Sequence, residues 1–305
     1  MIVRPRPHWL RMLFIWRGSV LPRIMPQLLF TTGLAVIVAC THGTLGEWKP
    51  TLTLAPFTLL GLAVAIFLGF RNSASYDRYW EARRIWGALL NDSRTLARQV
   101  LTLTDCTHEE KRAMVYLLVA FVHALRNQLR QKTDDTALLT LIPAADHERV
   151  RQAQYKPAVI LVLFSEKLSA ARKAGQVEPI LASAFEPALG GLSHVLGGCE
   201  RIANTPIPFT YSVIIHRVIY LYCILLPFGL VDSVGPLTPL VVAFVAYTFF
   251  ALEALSDELE EPFGTMPNDL PLDAMTRSIE RTLRETVGET NLPPAAMADS
   301  DFLLS

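Results

Sequence analysis

The sequence predicts an all-α membrane protein with four transmembrane helices and a cytoplasmic helical domain. Three observations predict it. Four long apolar runs divide the chain. Its basic residues concentrate in the segments that alternate crossings would place on one side. The long stretch between the second and third runs carries helical periodicity. Composition agrees: of 305 residues, 51% are hydrophobic and 18% charged, whereas soluble domains average about 25% charged.

Residues 1–23 form a basic cytoplasmic segment with five arginines and no acid. The arginines are too dispersed, and the run that follows too long, for a secretory signal. Residues 24–45 are the first apolar run, with His42 its only ionisable residue. The turn "THGTLGEWKP" leads to the second run, residues 52–70, which holds 19 residues without a charge. A helix of that length spans about 28 Å, close to a hydrocarbon core of about 30 Å. Residues 24–70 therefore read as a first transmembrane hairpin, with Trp48 at an interface belt.

The second run enters "FLGFRNSASYDRYWEARRIWG" (67–87) without a proline. This predicts one helix that changes its side chains rather than its backbone. Tyr76, Tyr79, Trp80, Trp86, Leu90, Ala97 and Leu101 recur at helical spacing as a packing stripe. Glu81 stands three residues from Arg78 and from Arg84, within reach of local pairing.

Residues 71–205 form the cytoplasmic helical domain. A helix is predicted over 111–131, opened by Glu109 and Glu110, because acids suit a helix N-terminus. One or two helices follow over 147–173, with Pro157 early in the second. Another starts at Pro179 and continues to about residue 203. In it Gly190, Gly191, Gly197 and Gly198 repeat at seven residues, which suits close helix contact or simply lowers helix propensity.

Residues 206–255 are the second hairpin, joined by "LVDSVGP". His216 and Arg217 lie beside its first apolar run. Interface anchoring, interhelical pairing and an ion path are all open to them. Residues 256–305 form a cytoplasmic tail: a solvated acidic stretch, a helix over 274–287 and a disordered last dozen residues.

Orientation follows from Lys and Arg. Residues 71–205 carry 18 of them, the turn at 43–52 one and the turn at 229–238 none. With five more in residues 1–23, the positive-inside pattern places both termini in the cytoplasm of a multi-pass inner-membrane protein.

Zero formal net charge gives no general pull toward nucleic acid. No P-loop, HExxH, GxSxG or CxxC is present, so no enzyme is expected. Cys40, Cys106, Cys199 and Cys223 are too scattered for a zinc site or a disulfide framework. No cofactor is expected.

Three stretches, "GFRNSASYDRYWEARRIWG" (69–87), "CERIANTPIPF" (199–209) and "SDELEEPFGTMPNDLPL" (256–272), closely resemble bacterial members of the bestrophin family. The resemblance covers residues 4–290 and the order of the apolar runs. It implies a homopentameric ion channel around one central pore. It carries the family's apolar pore neck to Leu62, Ile66 and Phe70, and an inner constriction to Ile180. The spacing i, i+4, i+8 independently puts the three neck residues on one helix face. Rings of such residues gate by excluding water.

The permeant species implied are small monovalent ions, with cations favoured by likeness to the bacterial members and an anion channel of the same family as the alternative. Animal members carry a dense acidic calcium clasp after a Pro-Phe sequence. Here that place reads "PFGTMPNDLPLD" (262–273), with only Asp269 and Asp273 as weak metal candidates. The competing functional class is a membrane-anchored binding or scaffold protein acting through residues 71–205.

Overall fold

The computed structural model describes residues 1–5, 7–44, 49 and 52–304; Trp48 lies outside the described residues. The described chain is helical apart from turns, loops and an isolated bridge between Ile2 and Leu303. It divides into two compact units, one made of Pro5–Tyr79 and Pro206–Glu261, the other of Met1–Arg4, Trp80–Thr205 and Pro262–Ser305.

The first unit holds a short helix α1 (Trp9–Met12), α2 (Leu21–Cys40), the start of α3 (Leu54–Leu103), α10 (Phe209–Val234) and α11 (Thr238–Glu260). One turn of 3-10 helix, Gly235–Leu237, separates α10 from α11. Helix α2 packs on α10 and α11, and those two pack on each other. The core between them is apolar: Ala35, Phe57, Leu68, Ile219, Leu226, Val242 and Phe250 are among its buried members. Helix α2, the apolar start of α3 and the stretch Phe209–Glu260 are long and apolar enough to cross a membrane.

Helix α3 runs unbroken for 50 residues, about 75 Å at 1.5 Å per residue. Its charged half belongs to the second unit from Trp80 onward. There Ala82, Ile85, Trp86, Leu89, Leu96, Ala97 and Val100 are buried. The packing stripe thus differs from the expected one. Trp86 and Ala97 hold their places, but Tyr76 and Trp80 are exposed. Glu81 meets Arg201 at 2.5 Å, while Arg78 Nε donates to the Glu260 carbonyl at 3.1 Å.

The remaining helices of the second unit are α4 (His108–Leu129), α5 (Thr136–Leu139), α6 (His147–Gln152), α7 (Lys156–Lys173), α8 (Pro179–Ala182), α9 (Glu186–Asn204) and α12 (Leu272–Thr286). A capping box opens α4: Glu110 N donates to the Thr107 hydroxyl, and Thr107 N donates to the Glu110 carboxylate. Two otherwise orphaned donors are thereby satisfied. Helices α6 and α7 are separate, with Pro157 in the first turn of α7.

The helix expected from Pro179 to about residue 203 is interrupted. A 3-10 turn, Ser183–Phe185, stands between α8 and α9. Pro187, in the first turn of α9, has no N–H to donate to the preceding turn, which favours a break there.

Two of the four glycines in α9 have a packing reason. A Cβ on Gly191 would sit 2.3 Å from Asp92 Oδ2, and one on Gly198 would sit 2.8 Å from Ile85 Cδ1. Ile85 and Asp92 are themselves seven residues apart on α3, so the two repeats mesh. Gly190 and Gly197 face open space.

The acidic tail is not a solvated linker. Helix α11 continues to Glu260. Asp273 is held by Arg126 at 3.0 Å and by Arg130, with Lys132 at 3.5 Å. The chain end is structured as well. Asp299 accepts from the N–H groups of Asp301 and Leu303, and this turn sets Leu304 N to donate to Met1 O at 2.8 Å.

Candidate functional site

Leu62, Ile66 and Phe70 lie on the apolar half of α3 and are exposed by 61%, 48% and 64%. Four residues advance a helix by slightly more than one turn, so the three make a single stripe about 12 Å long. Side chains on the opposite face, Val64 and Leu68, are buried against the neighbouring helices. The stripe is therefore left uncovered by its own chain, although a stripe this apolar is poorly matched to water.

Arg71 follows directly but points elsewhere. It is nine residues past Leu62, on the opposite side of the helix at about 100° per residue. Only 4% of it is exposed. Its guanidinium donates to Asp257 at 2.6 Å, with Glu260 at 3.5 Å. Asp257 also accepts from Arg23 at 2.8 Å. Glu260 accepts from Ile207 N at 3.0 Å, and the hydroxyls of Ser75 and Ser256 lie 3.0 Å apart. This lattice ties α3 to α11 immediately after the stripe. The sequence pattern missed it because partners 186 residues apart leave no local signal.

His216 Nδ1 stands 2.8 Å from Glu253 of α11, so of the three roles open to it an interhelical pair is the one observed. Arg217 lines the same cleft of about 270 Å³ as Arg71, His216, Glu253 and Asp257.

Ile180 begins the short α8 and is 77% exposed. The metal candidates are separated by role: Asp269 Oδ2 accepts from Met266 N at 2.7 Å, whereas Asp273 is enclosed by the three cations named above. Among the described residues, no group of three or more His, Cys, Asp or Glu is arranged to hold a metal. Cys106, Cys199 and Cys223 are buried free thiols. Burial pushes the Cys199 thiol up to about 12, which removes it from thiolate chemistry.

Long apolar helices, an uncovered apolar stripe and a charge lattice at its end together describe a helical membrane protein. The chain belongs to the bestrophin family: residues 1–285 match the family described as Bacterial/Fungal Bestrophin protein. A voltage-dependent anion channel-forming protein of Ralstonia nicotianae is 46% identical over 308 residues, covering 99% of this chain and all of that protein. The voltage-dependent anion channel-forming protein YneE of Escherichia coli K12 is 44% identical over 308 residues, covering the full length of both. A crystal structure of a bacterial bestrophin homologue from Klebsiella pneumoniae superposes with a TM-score of 0.82 at 44% identity, covering 87% of this chain and 99% of that one.

Proposed function

We propose that this chain forms a homopentameric channel in the bacterial inner membrane for small monovalent ions, with cations favoured. The observation that carries this reading is the exposed stripe Leu62, Ile66 and Phe70 on a helix that buries Val64 and Leu68, on its opposite face, in its own unit. Five copies around an axis turn the stripe into three apolar rings, a neck that excludes water until it widens. Ile180 supplies a further apolar ring as the inner constriction.

In this reading α2, the start of α3, α10 and α11 are four spans, paired as hairpins 24–70 and 206–255. Helices α10 and α11 have 26 and 23 residues, and about 20 suffice to span a bilayer. Residues 1–23, 71–205 and 256–305 are cytoplasmic, in keeping with the placement of Lys and Arg. Calcium control through Asp269 and Asp273 is not part of the proposal, because Arg126, Arg130 and Lys132 already neutralise Asp273.

A second reading, an anion channel of the same build, is favoured by the names of the Ralstonia and Escherichia relatives. The neck is uncharged and does not choose between them. Purified protein in liposomes, under opposed sodium and chloride gradients, tests both. A reversal potential near that of sodium supports the first reading, and one near that of chloride supports the second. Absence of flux contradicts both.

A further inference from the structure

We infer that Asp77 sets the charge preference at the inner mouth of the neck, drawing cations toward it and repelling anions; the inference rests on the channel reading above. On a helix turning about 100° per residue, Ile66 and Phe70 lie about 40° and 80° round from Leu62. Asp77, fifteen residues on, lies about 60° round, between them. Ser73, about 20° round, shares this face. Both Ser73 and Asp77 are exposed, so the uncovered face of the apolar half continues past Phe70 without a break.

The intervening charge is absent from that face. Arg71 is turned to the opposite side, buried and paired with Asp257. Asp77 is thus the first charged side chain past the neck on the neck's own face. Among the described residues its carboxylate has no ion pair or hydrogen bond, so none of them offsets its charge. It follows Phe70 by seven residues, about 10 Å along the axis.

Arg84 shares the face but stands a further 10 Å or so away. The Debye length is about 8 Å at physiological ionic strength. The field of Arg84 at the neck is therefore screened much more than that of Asp77. Five carboxylates around one axis raise the local cation concentration and lower that of anions, as rings of acids do at channel mouths.

The test is the reversal potential of reconstituted protein under a sodium chloride gradient, for wild type, Asp77→Asn, Asp77→Lys and Asp77→Glu. Glu109→Gln, which neutralises an exposed acid in the first turn of α4, serves as control. Asp77→Asn is expected to shift the sodium-to-chloride permeability ratio toward chloride by roughly three- to tenfold, and Asp77→Lys by more. Asp77→Glu and Glu109→Gln are expected to stay near wild type. The Asp77→Asn shift should also shrink as ionic strength rises. The direction of the shift is diagnostic whichever ion the wild type prefers. A conducting wild type whose permeability ratio is unmoved by Asp77→Asn and Asp77→Lys overturns this inference alone. A wild type that carries no ions overturns the channel reading and this inference with it.

Discussion

The two halves of α3 use their apolar side chains in opposite ways. In the charged half, Ala82, Trp86, Leu89, Leu96 and Val100 are buried, while Arg83, Arg84, Arg94 and Arg98 are exposed. That is the arrangement water imposes on a helix docked to a bundle. In the apolar half, Leu59, Leu62, Ile66, Phe67 and Phe70 are exposed, and only 22% of its most apolar window is buried. One backbone thus passes from a region where exposure follows polarity to one where it does not. The difference teaches that the apolar half is finished by something outside the chain: lipid, a second copy or a pore lumen. The charged half is complete within its own fold.

Substitutions can break or sharpen this contrast. The largest stability effect belongs to the charged half. Trp86→Ala removes a fully buried indole and is expected to cost about 3–5 kcal/mol, read as a fall in thermal midpoint in detergent. Trp80→Ala, only six residues earlier but exposed, is expected to cost less than about 1 kcal/mol. Equal losses would mean that the buried face is assigned wrongly.

Asp257→Ala comes next. It leaves the buried Arg71 with Glu260 at 3.5 Å as its remaining carboxylate. The expected loss is about 1–3 kcal/mol, the cost of an under-satisfied buried polar group, measured in the same melts. Asp257→Asn, which keeps one acceptor oxygen, should lose less.

A smaller effect depends on pH. Burial pushes the Glu280 carboxyl up. His123, 3.1 Å away, together with Arg277 and Arg284, outweighs burial and holds it below the ordinary glutamate range. Its contribution is therefore present above the unfolded value of about 4.3 and is lost as pH falls through the lowered folded value. Wild type and Glu280→Gln should differ in thermal midpoint at neutral pH and converge only as pH falls through that lowered value. A gap that widens on acidification would contradict this account of how α12 is held to α4.

The smallest stability effect is expected in the apolar half. Phe70→Ala removes a side chain that its own chain leaves exposed, and should change the melt by no more than about 0.5 kcal/mol.

How much was legible in the sequence follows from where the signals reside. Runs of apolar residues, the missing proline after Phe70 and the acids at 109 and 110 are local, and they located α2, α3 and α4. Spacing alone placed Leu62, Ile66 and Phe70 on one face. Pairings across long separations were not legible. Arg71 with Asp257, Glu81 with Arg201 and Asp273 with Arg126 depend on the fold, and without them the tail read as solvated. The buried stripe of α3 is only partly legible, for a related reason. Tyr and Trp suit packing by size, whereas Ala82, Ile85 and Leu89 fix the buried face and Trp80 falls outside it. The break before α9 has a local signal in Pro187. Asp77 does not stand out in the sequence because Arg71 comes first in the chain, and only the structure shows Arg71 turned away.

The most direct test of the neck is ion conductance through reconstituted protein carrying Ile66→Ala or Phe70→Ala, compared with wild type and with Arg78→Ala. Removing an apolar ring should widen and wet the neck, raising conductance several-fold with little change in stability. Arg78→Ala should change it less. Both neck variants conducting like wild type, with unchanged selectivity, would contradict the assignment of Leu62, Ile66 and Phe70 as the neck.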